Sequence, residues 1–302
     1  MTAAVIIPSF NGAHRLANII GALENQTIRN FKVVVVLDGS SDNSKEVLNG
    51  LSTTLDLEII EQANKGRAGA RNSGANNCTE PLLIFLDDDM RPKADCIEKH
   101  IEHSIQYPGS AMVGSLQSDP EIAETEFQHF LAHRSAQWMA NLPEQKTRMN
   151  AKNLFFSSAN CSIAKIIFEE LGGFNETLRD GEDFELASRI LKQGKPIFYN
   201  PDCHAWHDDL VSLTDYVVRQ REYQRAWSDL ITKHPELLPA FKQRFPKPGG
   251  LKALFFRILA NRKWISFSRS VFFRNLPKTL RYHFYEYLIA ALGRYHPTVI
   301  ID

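Results

Sequence analysis

The feature that most constrains the fold is a regular alternation of two textures along the first part of the chain. Short apolar runs, rich in β-branched residues, cover residues 5–7, 33–37, 57–60 and 82–86. Each run is almost continuously apolar, which is typical of strands buried on both faces of a sheet. Between them, helical patterns cover residues 14–26, 44–51 and 68–76. This alternation predicts an α/β fold with a parallel, doubly wound sheet and right-handed crossovers.

The alternation continues beyond these runs. A helical pattern over residues 95–106 and an apolar run over residues 111–116 are expected to extend the sheet. The composition fits a folded chain, because hydrophobic residues make up 43% and charged residues 23% of the 302 residues. A largely disordered chain is therefore excluded, and the length allows one large domain or two small ones.

Polar residues follow three of the predicted strands at the point where each strand ends. These segments are Pro8-Ser9-Phe10-Asn11-Gly12, Asp38-Gly39-Ser40-Ser41-Asp42 and Asp87-Asp88-Asp89. Ligands of open α/β sheets bind beyond the carboxyl ends of the strands, where these segments would meet. Each segment alone is equally consistent with a turn or a helix cap, but the three together predict a ligand site on one rim of the sheet.

The three adjacent aspartates at residues 87–89 are the sharpest local signal. Adjacent carboxylates repel one another, and a divalent cation removes that repulsion. Carboxylate oxygens suit Mn²⁺ or Mg²⁺, which bind through a few carboxylates together with substrate phosphates. We therefore expect a divalent metal cofactor and a phosphorylated ligand. Neither a G-x-G-x-x-G nor a G-x-x-x-x-G-K-[ST] pattern follows the first strand, which argues against a dinucleotide-dependent dehydrogenase and a P-loop NTPase.

A second phosphate signal lies at the start of the helix predicted over residues 68–76. Lys65, Arg67 and Arg71 bring three cations to this region. Free backbone N–H groups and the helix dipole favour an anion at a helix N-terminus. A solvated basic turn is the alternative interpretation of the same residues.

Seven short motifs stand in order along the chain. They are Val5-Ile6-Ile7-Pro8-Ser9-Phe10-Asn11, Val36-Leu37-Asp38-Gly39-Ser40-Ser41-Asp42, Asn64-Lys65-Gly66 with Ala70-Arg71-Asn72, Phe85-Leu86-Asp87-Asp88-Asp89, Gly172-Gly173-Phe174-Asn175-Glu176, Gly181-Glu182-Asp183-Phe184-Glu185-Leu186 and Ala205-Trp206-His207. Together they resemble the inverting family 2 glycosyltransferases over about residues 3–230. The resemblance implies a GT-A fold, a Rossmann-like, mostly parallel sheet flanked by helices. It also implies a nucleotide-diphospho-sugar donor, with a UDP-sugar favoured.

The resemblance implies roles for individual residues. It assigns nucleotide-sugar binding to Pro8, Ser9, Phe10, Asn11, Asp38, Lys65, Gly66, Arg71, Asp87 and Asp88. It implies that Asp89 is the direct metal ligand of a DxD motif and that His207 completes the metal or diphosphate site. The family often has two acids where this chain has Leu37-Asp38, so Asp38 alone is left to contact the base.

Asp183 matches the family's catalytic base. Inverting transfer is a single displacement at the anomeric carbon, so the acceptor hydroxyl loses its proton as it attacks, and a carboxylate within reach can accept that proton. The alternative interpretation is that the acidic residues around it form a favourable first turn of a helix running to residue 192. Weaker assignments, to the acceptor or the diphosphate, are Glu182, Gly173, Arg219 and Arg221.

Two loops are expected to complete the acceptor side. Residues 154–162 are predicted to form a strand and turn that bring Ser157, Ser158 and Asn160 near the site. Gly172 and Gly173 are predicted to form a tight backbone turn close to the acceptor, because glycine adopts conformations that other residues avoid.

These observations predict a metal-dependent inverting glycosyltransferase. It would move a hexosyl or related sugar to a hydroxyl of a glycan or lipid-linked acceptor, as in polysaccharide biosynthesis. Two alternatives stay open, a nucleotidyltransferase of similar fold and an inactive sugar-nucleotide-binding partner subunit. The first would need a Gly-rich basic loop directly after the first strand, and residues 8–12 lack that density of cations. The balance of 35 basic and 35 acidic residues gives no expectation of nucleic-acid binding.

The C-terminal region has a different texture. Residues 250–302 carry nine Lys and Arg residues against two acidic residues, and an apolar helical stripe is formed by Leu251, Leu254, Phe255, Ile258 and Leu259. Basic amphipathic helices suit an anionic membrane surface. The alternative is that these helices pack on the catalytic domain or on another subunit of a homo-oligomer.

The domain organisation follows from these textures. Residues 1–210 are predicted to form a GT-A catalytic domain, with a nucleotide-sugar half at about residues 1–116 and an acceptor half at about residues 117–210. Residues 211–302 are predicted to form a helical C-terminal region that is peripheral to a membrane or packed on protein.

The cysteines and the N-terminus predict the compartment. Cys78, Cys96, Cys161 and Cys203 are widely separated and include no CxxC pair, which argues against a zinc ribbon or a disulfide framework and favours a reducing compartment. No basic segment precedes the apolar run that stops at Pro8, and no stretch approaches the roughly 18 apolar residues of a membrane span. We therefore expect a cytoplasmic protein, soluble or peripheral at the inner face of the membrane.

Overall fold

The computed structural model describes residues 2–233, 235 and 249–301. The chain divides into two compact units. The first comprises Met1–Asp119 and Ser135–Asp209, and the second comprises Pro120–Arg134 and Leu210–Asp302. The second unit therefore draws on residues 120–134 as well as on the predicted C-terminal region. Residues 236–248 of that predicted region lie outside the described residues.

The first unit contains the predicted alternation of strands and helices. Its elements in chain order are β1 (Ala3–Ser9), α1 (Ala13–Glu24), β2 (Phe31–Asp38), α2 (Ser44–Gly50), β3 (Asp56–Gln62), α3 (Gly66–Asn76), β4 (Leu82–Leu86), β5 (Met90–Pro92), α4 (Cys96–Gln106), β6 (Ala111–Ser118), α5 (Glu126–Met139, with residues in both units), β7 (Thr147–Arg148), β8 (Asn160–Ala164), α6 (Lys165–Glu170), α7 (Glu182–Lys192) and β9 (Ile197–His207).

Nine strands of the described chain form one sheet in the order β3-β2-β1-β4-β8-β6-β9-β5, with β7 paired to β9. The half built from β1 to β4 is parallel, as predicted. In the other half, β8 runs antiparallel to β4 and β6, while β6 and β9 are parallel. The sequence pattern does not distinguish these directions, because a strand buried on both faces is apolar whichever way it runs.

Alternate residues of the parallel strands build a hydrophobic core on each face of the sheet. One core contains Val5, Ile7, Val33 and Val35 together with Leu16, Ile19 and Leu23 of α1. The other contains Ile6, Val34, Val36 and Phe85 together with Phe168, Phe174 and Leu186. The helices therefore cover both faces, and the rim beyond the strand ends is left for polar residues.

The pairing of β6 with β9 contains an irregularity. Gly114 pairs with Asn200, whereas the next residue, Ser115, pairs with His204, so residues 201–203 form a bulge in β9. The hydroxyl of Ser115 donates to the Pro201 carbonyl at 2.7 Å. Beyond the bulge, β9 continues to His207, where it pairs with Met90 of β5.

The second unit is helical within its described residues. Its further elements are α8 (Leu213–Lys233), α9 (Gly250–Leu259), α10 (Lys263–Ser268), α11 (Val271–Arg274), α12 (Lys278–Ile289) and a π-helical turn (Ala290–Tyr295). Its core is rich in aromatic residues and contains Phe127, Phe130, Val217, Phe273, Tyr285, Leu288 and Leu292. The C-terminal helices therefore pack on one another and on the start of α5 within this unit.

Four of the five residues of the predicted apolar stripe lie outside the buried face of α9. This helix buries Phe256 and Leu259, while Leu251 is 86% exposed. Three further stripe residues are also exposed, namely Leu254, Phe255 and Ile258. None of the helices in the described ranges has the length and apolar character that a membrane crossing requires.

Candidate active site

The acidic triplet lies between β4 and β5, and its middle residue is held by the neighbouring strand and helix. Asp88 is 7% exposed. Its Oδ2 accepts hydrogen bonds from the Ser9 hydroxyl at 2.6 Å and from Arg15 Nη2 at 3.1 Å. Burial raises the pKa of Asp88 to about 7, although Arg15 and Ser9 act in the opposite direction. Asp88 and Ser9, both predicted to bind the nucleotide sugar, therefore contact each other and fix the end of β1.

The last residue of the triplet faces the end of β9. His207 Nε2 lies 3.3 Å from Asp89 Oδ2, and Arg15 Nη1 lies 3.9 Å from the same oxygen. Burial lowers the pKa of His207, but the Asp89 carboxylate outweighs it and raises that pKa to about 9. A carboxylate and an imidazole this close form a donor set suited to a transition metal such as Mn²⁺. The two residues predicted to bind the metal are thus neighbours in space.

Arg71 links the acidic triplet to the start of α7. Its side chain is 1% exposed, with Nη2 donating to Asp87 Oδ1 at 2.5 Å and Nη1 donating to Glu182 Oε1 at 2.7 Å. Its guanidinium also lies over the Phe174 ring, 5.6 Å from the ring centroid. Burial opposes the charge of Arg71, but the two carboxylates outweigh it and raise the pKa above its ordinary value. Arg71 therefore brings Asp87 and Glu182 to the same place.

Asp183 stands in the first turn of α7, directly after Glu182. The helix begins at Gly181, whose φ of 81° is one that glycine adopts readily. Burial raises the pKa of Asp183 to about 7, and the adjacent Glu182 adds to the shift. Hydrogen bonds from the backbone N–H groups of Phe184 and Ser158, together with the charge of Arg71, oppose it. A carboxyl group with a pKa near neutrality is suited to exchange a proton at physiological pH.

Asp38 is committed to contacts within the chain. It is 3% exposed, and its carboxylate accepts from Gln62 Nε2 at 2.7 Å, from the Lys65 N–H at 2.8 Å and from the Gly66 N–H at 2.9 Å. Lys65 and Gly66 begin α3, so Asp38 is the anion at the helix start where phosphate was expected. The Lys65 side chain is exposed. Asp38 thus fixes the position of α3.

The loop after β1 is ordered by hydrogen bonds to the loop after β2. Asn11 has a φ of 49°, unusual for a residue other than glycine. Its N–H donates to the Ser40 hydroxyl at 3.1 Å, and its Oδ1 accepts from the Ser41 N–H at 2.9 Å. Phe10 is 52% exposed beside these contacts, and Pro8 is the penultimate residue of β1. Two of the three predicted rim segments are therefore joined.

The two glycines after α6 form the predicted tight turn. The Gly172 N–H donates to the Glu169 carbonyl and the Gly173 N–H to the Phe168 carbonyl, both at 2.9 Å. With positive φ at both glycines, this pattern is a Schellman motif that ends the helix. The turn lies against Asn72, whose Oδ1 accepts from the Phe174 N–H at 2.8 Å and whose Nδ2 donates to the Phe174 carbonyl at 2.9 Å.

Several residues that the sequence analysis did not select shape this rim. Arg15 contacts the acidic triplet, Gln62 holds Asp38, and Arg189 donates to the Leu171 and Gly173 carbonyls at 2.6 and 2.8 Å. Asn72 belongs to the Ala70-Arg71-Asn72 motif, but the sequence analysis assigns it no binding role. A polar residue on an otherwise apolar helix face, such as Arg15 on α1, is the signal that could have drawn attention to this group.

Three further candidate residues belong to β8 and α8. Asn160, which is expected near the site, pairs with Leu86, the residue before Asp87, at the start of β8. Its side chain is completely buried and bonds to His100. Arg221 of α8 donates to the Leu292 and Val299 carbonyls at 2.9 and 2.8 Å within the second unit. Arg219 belongs to the same helix. For Arg219 and Arg221 the assignment to diphosphate or acceptor stays a prediction.

The fold is similar to that of a solved glycosyltransferase. The mannosyltransferase PcManGT from Pyrobaculum calidifontis, in complex with GDP-Man and Mn²⁺, superposes with a TM-score of 0.61 at 17% identity, over 97% of this chain and 86% of that chain. The similarity confirms the predicted GT-A type of fold, an α/β sheet flanked by helices with a helical C-terminal region.

The sequence then identifies the family. Residues 4–172 match the family model of glycosyl transferase family 2. Because the match covers more than half of the chain, the chain belongs to glycosyl transferase family 2, as the motifs predicted.

Two characterised relatives cover most of this chain. The pre-mycofactocin glycosyltransferase of Mycobacterium tuberculosis is 27% identical over 237 residues, which are 77% of this chain and 48% of the relative. The validoxylamine A glucosyltransferase of Streptomyces hygroscopicus subsp. jinggangensis is 28% identical over 263 residues, which are 78% of this chain and 62% of the relative. The chain thus spans about half to three fifths of the length of these relatives.

Proposed function

We propose that this chain is a metal-dependent inverting glycosyltransferase. It transfers a sugar from a nucleotide-diphospho-sugar to a hydroxyl of a glycan or lipid-linked acceptor. Family membership and the names of both relatives support glycosyl transfer. Inversion rests on the assignment of Asp183 as the base, and the acceptor class is inferred from the family resemblance.

One observation carries the proposal, namely the double ion pair of Arg71. This buried guanidinium contacts Asp87 of the acidic triplet and Glu182, the residue before Asp183. Inverting transfer needs a base on the acceptor side of the anomeric carbon and stabilisation of the leaving diphosphate on the opposite side. Asp183 is the proposed base, and Asp87 belongs to the triplet proposed to bind the donor and the metal. The Arg71 contacts bring the segments that carry both carboxylates together, and they do so inside the protein, where ion pairs are poorly screened.

Asp183 accepts the proton of the acceptor hydroxyl as that oxygen attacks. Its raised pKa of about 7 makes it a stronger base than an ordinary aspartate once ionised. Arg71 holds the neighbouring Glu182, so that the first turn of α7 and the base that it carries stay in place. Asp87, fixed by the same guanidinium, is positioned for the donor ribose or sugar.

Asp89 and His207 would hold the divalent metal, Mn²⁺ or Mg²⁺. Their 3.3 Å separation and their oxygen and nitrogen donors fit such an ion. When bound, the metal supplies Lewis-acid stabilisation of the charge that develops on the departing diphosphate. PcManGT, the solved structural neighbour, was crystallised with GDP-Man and Mn²⁺.

Titration calorimetry with UDP and GDP, with and without Mn²⁺, tests the metal assignment. We expect Mn²⁺ to strengthen nucleotide binding to the native chain. It should leave the nucleotide affinity of Asp89→Ala unchanged, because this variant lacks the carboxylate proposed to bind the metal. Asp56→Ala removes an exposed aspartate at the start of β3 and serves as the matched control. Unchanged Mn²⁺ dependence in Asp89→Ala would overturn the assignment.

A donor panel tests the reaction class. UDP-sugars are the favoured donors, and UDP- and GDP-sugars are compared by thermal shift. A ligand at about 100 times its Kd should stabilise the folded chain by about 2.7 kcal/mol. Release of nucleoside diphosphate from a bound donor, dependent on Mn²⁺, supports glycosyl transfer. Release of pyrophosphate from a nucleoside triphosphate supports a nucleotidyltransferase, and binding without turnover supports an inactive partner subunit.

The second unit adds a proposal about location. Helix α9 exposes Leu251, Leu254 and Ile258, and α11 exposes Val271 and Phe272, each between about 54% and 86%. Residues 250–302 also hold nine basic residues against two acidic ones. Exposed apolar side chains among cations suit an anionic lipid surface. We propose that this unit binds the cytoplasmic leaflet, where a lipid-linked acceptor would be presented.

A further inference from the structure

A second cluster of metal-ligating side chains lies inside the first unit, and the proposed transfer does not use it. Cys96 and His100 are four residues apart on α4, so they share one face of the helix. Cys203 approaches them from the bulge of β9. One ligand atom from each of the three lies within 4.8 Å of the other two, and all three residues are completely buried.

We propose that Cys96, His100 and Cys203, together with the side-chain oxygen of Asn160, bind a structural Zn²⁺ ion. The site is independent of the proposed glycosyl transfer. Two thiolates, one imidazole and one amide oxygen would give the ion four ligands, which is the coordination number of structural zinc sites.

The distances between donor atoms fit a tetrahedral zinc site. Zn–S bonds of about 2.3 Å imply a sulfur–sulfur separation of about 3.8 Å, and Zn–O bonds of about 2.1 Å imply a sulfur–oxygen separation of about 3.6 Å. Cys96 Sγ lies 3.6 Å from Cys203 Sγ and 3.7 Å from Asn160 Oδ1. His100 Nε2 lies 2.9 Å from Asn160 Oδ1, and this pair needs to separate by about 0.5 Å.

The amide of Asn160 is oriented by its other contacts. Its Nδ2 donates to the Ser115 and Cys203 carbonyls, both at 3.0 Å. These two acceptors require the nitrogen on that side, so Oδ1 must point toward Cys96 and His100. This buried carbonyl oxygen, which faces the Cys96 thiol and the His100 imidazole, is the fourth donor.

His100 already has the partner that a zinc-bound histidine needs. Its Nδ1 lies 2.9 Å from the Ser162 hydroxyl. Metal-ligating histidines bind through one ring nitrogen and donate the other N–H to a nearby oxygen. With zinc on Nε2, Nδ1–H donates to Ser162 Oγ, and the side chain keeps its present orientation.

The donor set suits a completely buried ion because it is neutral overall. Zn²⁺ displaces the two thiol protons, and two thiolates then balance its charge while His100 and Asn160 stay uncharged. An unbalanced dication in the interior would be costly.

The location of the cluster explains what the zinc would do. Gly114 lies against the bulge, where an added Cβ would be 2.2 Å from the Cys203 carbonyl oxygen, so the bulge is packed tightly on β6. A metal bound by α4 and by Cys203 would join this bulge to the helix. Since β9 continues from the bulge to His207, the ion would stabilise the strand that carries a predicted catalytic ligand.

The native full-length chain provides the first test. The chain is refolded with equimolar Zn²⁺ under reducing conditions, freed of excess metal, and its zinc is measured by mass spectrometry and X-ray absorption. We expect one zinc per chain with two sulfur ligands at about 2.3 Å. A folded chain that retains no zinc, or a Cys96–Cys203 disulfide in the chain isolated without reductant, overturns the proposal.

Variants then identify the ligands. We expect Cys203→Ala and His100→Ala to lower retained zinc at least tenfold, and Cys78→Ala, which removes a buried cysteine outside the cluster, to keep it. Asp89→Ala should retain zinc while losing Mn²⁺-dependent nucleotide binding, which separates this site from the proposed catalytic metal. Retention of zinc by a Cys96→Ala/Cys203→Ala double variant contradicts the assignment. If the ligand variants fail to fold, the zinc content of the native chain decides.

Discussion

Arg71 and Asp38 show, at the scale of single residues, how a motif can be recognised without its contacts being known. Both residues were selected for donor binding. In the structure, Arg71 pairs with two carboxylates of the chain and Asp38 accepts three hydrogen bonds from Gln62 and the start of α3. These partners come from distant segments, so local sequence carries no record of them. Arg71 and Asp38 were predictable as residues of the rim, whereas their bonding partners, Gln62 among them, were not.

Asp183→Asn is the sharpest test of the proposed base. The amide is nearly isosteric and keeps the first turn of α7, but it cannot accept the acceptor's proton. We expect kcat to fall at least about 10²-fold, roughly 2.7 kcal/mol of transition-state stabilisation, with donor affinity nearly unchanged. The comparison uses steady-state transfer rates and calorimetric donor binding.

Glu169→Gln, at an exposed ion pair on α6, provides the matched control for Asp183→Asn. It should transfer sugar at the native rate. Near-native transfer by Asp183→Asn would move the base elsewhere, with Glu182 the next candidate. Loss of donor binding together with activity would indicate a structural or donor-site role instead.

The raised pKa of Asp183 predicts an acid limb in the pH profile. Burial raises this pKa to about 7, so the carboxyl group gains a proton as the pH falls through that value. A protonated carboxyl group accepts no proton, and kcat/KM should decline about tenfold per pH unit well below pH 7. The profile of the native chain is compared with that of Glu169→Gln, which should share the limb. A flat profile between pH 5 and pH 8 would be inconsistent with Asp183 as base.

At the scale of elements, the parallel half of the sheet was predictable because β-branched apolar runs alternate with helical patterns. The strand predicted within residues 154–162 is β8, but it begins only at Asn160 and its antiparallel direction was not predicted. The short β5 and β7 leave no periodic signal. The Gly172-Gly173 turn was recognised from the special conformations of glycine. Its attachment to Asn72 depends on packing between α3 and the residues after α6, which only the structure provides.

The turn offers a matched pair of substitutions. Both glycines have positive φ, but a Cβ at Gly172 meets nothing within 4 Å, whereas one at Gly173 would lie 2.7 Å from Asn72 Oδ1. Gly172→Ala should lower the free energy of unfolding by about 1–2 kcal/mol, the cost of the left-handed conformation. Gly173→Ala should lower it by about 1–3 kcal/mol more, because Asn72 must lose its hydrogen bonds to Phe174.

Urea denaturation of the two glycine variants measures the difference. If Gly173 is close to the acceptor, Gly173→Ala should also reduce transfer more than Gly172→Ala does. Equal stability of the two variants would show that Asn72 moves aside without cost.

At the scale of the whole molecule, the two compact units differ in how well the sequence pattern predicts which apolar residues are buried. The first has its apolar residues in cores on both faces of the sheet, as the sequence pattern predicted. In the second, helical periodicity identified α9 correctly, but four of the five stripe residues are exposed, and the helix buries Leu259 together with Phe256. Periodicity predicts that a helix has an apolar face, and it does not tell whether protein or another apolar phase covers that face.

The membrane proposal is tested by changing the exposed stripe and leaving the core intact. Deleting residues 250–302 would also remove Phe273, Leu288 and Leu292 from the core of the second unit, so a truncated chain could fail for structural reasons. The variant Leu251→Asp/Ile258→Asp alters two exposed side chains instead. We expect the native chain to sediment with anionic vesicles, less so at high salt, and the variant to stay in the supernatant, because both apolar insertion and charge attraction are weakened.

Ile105→Asp and Ile166→Asp form the control for the stripe variant. These side chains are 61% and 66% exposed in the first unit, so the change in charge and polarity is the same while the surface differs. The control should sediment like the native chain, and neither protein should bind neutral vesicles. Equal sedimentation of the stripe variant and the native chain, with unchanged thermal stability, would reject a membrane role for α9. Release of both variants would show that net charge alone, not the stripe, governs binding, since the two variants lose the same charge.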